Sequence, residues 1–167
     1  MQPPLLPLEA LVRVLRLART DGMGVLVVAT FFALTSAAVG DLTGAAAWLL
    51  VAGAGAIELH GATLLREAEL RGMNWLLASQ FLLVFVVLAY CALRLTHYDP
   101  TAMRAALTDE NKANLVQAGY EPEEFLRTVY ISTYCAMAGT AFIYKGCVAR
   151  YFLRRREAVA AALETAD

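Results

Sequence analysis

A chain of 167 residues leaves room for one compact unit. Its hydrophobic share of 59% exceeds the roughly 45–50% of a soluble domain, and a mean hydropathy of +0.55 points the same way. A net charge of −1 argues against the concentrated basic face that a nucleic-acid partner needs; the arginines that do cluster stand beside apolar runs.

Residues 8–20 carry Leu8, Leu11, Val12 and Leu15 at helical spacing, with Arg13, Arg16 and Arg19 on a separate face. Pro3, Pro4 and Pro7 precede them. This is the pattern of an amphipathic helix lying in the headgroup plane, its arginines on anionic lipid; the alternative is a cap packed on the protein. Three uncharged runs, 22–40, 72–93 and 128–144, and a fourth at 42–57, then suggest membrane spans, because a hydrocarbon core about 30 Å thick takes roughly 20 helical residues to cross. Residues 36–38 resemble a signal-peptide cleavage region, but the long charged lead-in favours a retained span.

The predicted fold is therefore all-α: a polytopic four-transmembrane-helix bundle with an N-terminal interfacial helix and a short helical loop between spans 3 and 4. Its boundaries are 8–20, 22–40, 43–65, 72–95, 96–125 for the loop, 126–150, and 151–167 for a helical tail. Arginines beside the spans, including Arg66, Arg71, Arg150, Arg154, Arg155 and Arg156, place both termini and the 2–3 loop in the cytoplasm of a multi-pass cell (inner) membrane protein. Trp48, Tyr90 and Tyr130 fall near one expected boundary, and Trp75, Tyr144 and Tyr151 near the other.

The 96–125 loop has its own punctuation. Asp99-Pro100 and Thr108 start short helices, Gly119 ends one, and Glu121-Pro122 begins a helix that can run into span 4. Asp109, Asn111 and Glu121 faintly echo a calcium loop, yet Asn114 stands where that loop needs glycine, which excludes it. The acids Asp109, Glu110, Glu121, Glu123 and Glu124 are accounted for mainly by helix starts, with a cation-attracting vestibule as the alternative.

Small residues in spans 1, 2 and 4 predict tight packing there. The bulky span 3, with Phe81, Leu82, Leu83 and Phe85, is expected to face lipid or another subunit. Span 2 has only 16 uncharged residues, so it must extend past Glu58 and His60. Glu58 shares a helical face with Ala54, Gly55 and Gly61, and a buried carboxylate needs a partner or a proton. Lys145 on span 4 is the expected partner, with Gln80, His60, Asn74 and Tyr144 at similar depth. Such an intramembrane cluster is a functional-site candidate, on a competing reading only a helix clamp.

Other chemistry is poorly provided for. His60 and His97 lie at opposite ends, and Glu58 and His60 are about 200° apart on a helix, so no metal site is expected. Cys91, Cys135 and Cys147 form no C-x-x-C pair and read as small buried hydrophobes. No nucleotide-binding, hydrolase or zinc-protease motif occurs, and neither catalytic residues nor a cofactor are predicted. The favoured function is a channel or transporter subunit for ions or small solutes, working as a homo-oligomer in the lipid bilayer. A membrane scaffold or regulatory protein is the alternative. A lipid- or quinone-acting enzyme using Glu58 and His60 as acid and base stands third.

Overall fold

The computed structural model describes residues 6–164; Pro3, Pro4 and the last three residues of the expected tail lie outside them. Six α-helices follow one another, with no strand among the described residues: α1 (Pro7–Ala38), α2 (Leu42–Arg66), α3 (Gly72–Thr96), α4 (Thr101–Ala106), α5 (Asp109–Gln117) and α6 (Pro122–Glu164). Of these, α1, α2 and α3 are long and apolar enough to cross a membrane. The fourth expected span lies inside α6. Thr128, Ser132, Thr133, Gly139 and Thr140 dilute its apolar stretch, and it does not match the other three.

Pro7 opens α1 at a position where a missing N–H is harmless. The helix then continues for 32 residues without a break at Asp21, so the expected interfacial helix and first span are one element. The reason is packing. Val14 and Ala18 are fully buried in a core shared with α2, α3 and α6, while Leu8 and Val12, assigned to the lipid-facing stripe, stay exposed. Arg13, Arg16 and Arg19 point outward. At the far end Gly40, with φ +81°, turns the chain; the Asp41 N–H bonds Ser36 O at 2.9 Å and the Gly40 N–H bonds Ala37 O at 3.1 Å. Asp41 then caps α2, its carboxylate accepting from the Gly44 N–H at 2.9 Å. Arg94 from α3 donates to the same carboxylate, tying the α1–α2 turn to the neighbouring helix.

The four long helices form a ring in which α1 meets α2 most extensively, α2 meets α3, α3 meets α6, and α6 closes on α1 least extensively. α2 and α6 thus face each other across the diagonal. Close backbone approach makes the first two contacts. A Cβ on Gly55 would come within 2.9 Å of Gly22 O, and a Cβ on Gly72 within 2.5 Å of Gly61 O. Without a hydrophobic drive between helices in lipid, such contacts are what hold them.

The structure corrects the expectation for span 3. α3 packs on both α2 and α6, burying Met73, Leu76, Leu83, Val86, Val87 and Cys91. Its bulk is two-sided: Phe81 and Phe85 face outward while the buried set recurs every three or four residues on the other side. The seam between α1 and α6 is the open one instead.

The connection between α3 and α6 is short and helical. Thr101 donates through its N–H to Asp99 at 3.0 Å and also through its hydroxyl, which holds the Asp99 carboxyl below the usual aspartate range. Thr108 caps α5 by accepting from the Asn111 N–H at 3.3 Å.

Candidate functional site

Buried apolar side chains fall into two groups at opposite ends of the ring. One, around Val14, Leu65, Met73, Leu76, Phe152 and Val159, lies at the end rich in arginine. The other, around Ala29, Val51, Ala54, Leu83, Val87 and Cys91, lies toward α4 and α5. Between the two sit the polar residues Asp21, Glu58, Ser79, Gln80 and Lys145, one or two from each long helix.

Lys145 of α6 is the hub. Its Nζ lies 2.6 Å from Asp21 Oδ2 on α1 and 3.9 Å from Glu58 Oε2 on α2, across the diagonal. All three side chains are at least 94% buried, and the Tyr144 hydroxyl donates to the other Asp21 oxygen at 3.1 Å. Gln80, 1% exposed, adjoins Glu58 and donates to Ser79 Oγ at 3.2 Å, while Ser79 in turn donates to Leu76 O at 2.8 Å. Two oxygens in this layer, Glu58 Oε1 and Gln80 Oε1, have no hydrogen-bond partner.

Glycines set Glu58 at this depth. Gly55 and Gly61, one turn to either side, give α2 its closest approaches to α1 and α3, and a Cβ on Gly22 would meet the Glu58 Cβ at 3.3 Å. Glu58 lies eight positions before the end of α2 at Arg66, about 12 Å along the axis.

The layer holds two carboxylates and one ammonium. Lys145 is committed chiefly to Asp21, so Glu58 is left with a distant counter-ion and an unsatisfied oxygen. A buried charge in that position has to be neutralised by a proton or a small cation. The arrangement therefore offers a place for such an ion, and no group of three His, Cys, Asp or Glu side chains suited to a metal occurs among the described residues.

Two recesses reach the layer through the α1–α6 seam. One, of about 470 Å³, is walled by Val28, Ala29, Leu83, Val87 and Met137 and ends at Tyr144 and Lys145. The other, of about 420 Å³, is lined by Leu17, Thr20, Gly24 and Asp21. Both include Val25, Val28 and Tyr144, so the Tyr144–Asp21 hydrogen bond stands where they meet.

Of the residues expected in the cluster, the structure brings Glu58, Lys145, Gln80 and Tyr144 together and leaves two outside. His60 is exposed on the opposite side of α2, edge-on to Trp75 with ring centroids 5.5 Å apart. Asn74 is exposed at the start of α3. Equal depth was not enough: His60 lies about 200° from Glu58 and Asn74 about 240° from Gln80 around their helices. Sequence reasoning also missed Asp21, which looked like a span boundary. Its signal was there, since it follows the buried Val14 by seven residues and Ala18 by three. The surface arginines Arg154 and Arg156 are exposed, and Arg155 stacks over the Tyr151 ring at 5.7 Å. No protein-family model, curated protein or solved structure matches this chain.

Proposed function

We propose that this is a membrane transport protein in which Glu58 takes up and releases a proton or small cation as the coupling or permeating ion. The observation that carries the reading is the unmatched charge: three buried ionisable groups from three helices, with one carboxylate more than they have cations. Intramembrane ionisable residues of this kind mark ion pathways and relays. The two recesses support a route along the α1–α6 seam, and α6 serves as the fourth span, with both termini cytoplasmic. The least packed seam is also where a second copy would complete the walls, so the working unit is a homo-oligomer.

The test is flux from proteoliposomes under an imposed pH or cation gradient. Wild-type protein should pass protons or the cation, and Glu58→Gln should lose at least about tenfold of that flux while unfolding at nearly the same detergent concentration. A monomeric, impermeable wild type would end the transport reading.

The second reading is a scaffold in which the layer only pins helices together. The short Lys145–Asp21 contact favours it, because it joins the two helices that otherwise touch least. On that reading Glu58→Gln would change thermal stability alone.

A further inference from the structure

A pocket that the transport reading does not use lies at the arginine-rich end of the bundle. Arg19 of α1 and Arg66 of α2 line one recess of about 170 Å³, with Leu15, Leu59, Ala62 and Thr63. Both arginine side chains are exposed and border the same recess, so their positive charges reinforce each other there. Among the described residues no carboxylate lies within ion-pair distance of either. The Thr63 hydroxyl already donates to Leu59 O at 3.0 Å. The donors left in the pocket are therefore the two guanidinium forks, whose geometry matches phosphate oxygens.

We propose that the pocket binds the phosphate of an anionic glycerophospholipid, held between Arg19 and Arg66. Leu15, Leu59 and Ala62 line the same recess and would meet the glycerol and first methylenes of a lipid, a surface that inorganic phosphate would leave bare. The position fits as well. Arg66 ends a helix apolar enough to cross the membrane, and Arg19 stands on the adjacent helix, where a headgroup would arrive from the bilayer flank. Arg127, exposed near the start of α6, does not line this recess.

The inference stands apart from transport, and its test reads lipid retention. The full chain, purified in mild detergent and delipidated, would be mixed with equal amounts of phosphatidylglycerol and phosphatidylcholine, and the retained lipid counted by native mass spectrometry. One phosphatidylglycerol should be kept in preference to phosphatidylcholine. Arg19→Gln and Arg66→Gln should each weaken that retention about tenfold, the scale of one charge-assisted hydrogen-bonded contact, while Arg127→Gln leaves it unchanged. Three results would overturn the site: equal retention of both lipids, an equal loss in the Arg127→Gln control, or displacement of phosphatidylglycerol by inorganic phosphate at the same concentration. The last would mean that a free anion fills the pocket. All the substituted side chains are exposed, so unaltered elution from a sizing column suffices to show that the variants fold.

Discussion

Two ion-pair sites join the long helices here, and they are built differently. At the α4–α5 end, Arg94 meets Asp41, whose other oxygen caps α2, while Tyr90 accepts from Arg94 Nε at 3.1 Å and Tyr130 donates to the Arg94 carbonyl at 3.0 Å. One cation faces one anion, and the side chains keep 20% and 32% of their surface exposed. In the central layer one cation faces two anions, all almost completely buried. The first site is balanced and needs nothing further. The second is incomplete as it stands, and that difference separates a stitch from a candidate ion site.

Removing the hub should have the largest effect. Lys145→Met leaves two carboxylates buried without a cation, and breaking a buried pair from one side costs about 3–5 kcal/mol. The midpoint of SDS-induced unfolding in mixed micelles would report it. Adding Asp21→Asn to Lys145→Met removes the stranded partner and should recover much of the loss. Glu58→Gln, which deletes the weakly paired acid, should be close to neutral. If Glu58→Gln proves as damaging as Lys145→Met, the three groups form a balanced clamp and the contrast with Arg94–Asp41 disappears.

A smaller effect is expected at the frame of the layer. Gly72→Ala would drive a Cβ to 2.5 Å from Gly61 O and 2.8 Å from Leu65 Cγ. Neither backbone can yield without separating α2 from α3, so the cost should be about 1–3 kcal/mol. Gly53→Ala, where an added Cβ meets nothing within 4 Å, is the matched control and should be neutral or slightly stabilising. Equal losses at both positions would show that helix propensity, and not close approach, is being measured.

How much of this could be read from the sequence depends on which physical constraint wrote it. The apolar runs at 22–40, 42–57 and 72–93 locate α1, α2 and α3, because hydrocarbon thickness imposes a length that composition reveals. Glu58 and Lys145 stood out because charge is rare in such runs. Azimuth was less visible. His60 and Asn74 were grouped with Glu58 by depth alone, although helical geometry turns them away, and both lie exposed. Asp21 was hidden for the opposite reason: an acid following Arg13, Arg16 and Arg19 looks like the end of a polar segment. Only its heptad spacing from Val14 reveals that it continues a buried face. The packing of α3 is invisible in composition alone, because Phe81 and Phe85 fall on one side of the helix and Leu76, Leu83 and Val87 on the other.

The smallest expected effect completes the comparison from the other side. Arg94→Gln removes the cation from the balanced site but leaves Asp41 accepting from the Gly44 N–H and partly open to solvent. A carboxylate so placed can be hydrated, and a partly exposed pair contributes at most about 1 kcal/mol. The loss should therefore be several times smaller than for Lys145→Met in the same SDS titration, and raised salt should shrink the gap between wild type and Arg94→Gln, since screening acts on groups that solvent reaches. Salt should change the Lys145→Met deficit far less, because the layer is almost completely buried and screening acts chiefly on groups bathed by bulk solvent. A deficit for Arg94→Gln as large and as salt-resistant as that of Lys145→Met would mean that burial, and not charge balance, governs both sites, and the case for Glu58 as an ion carrier would lose its main support.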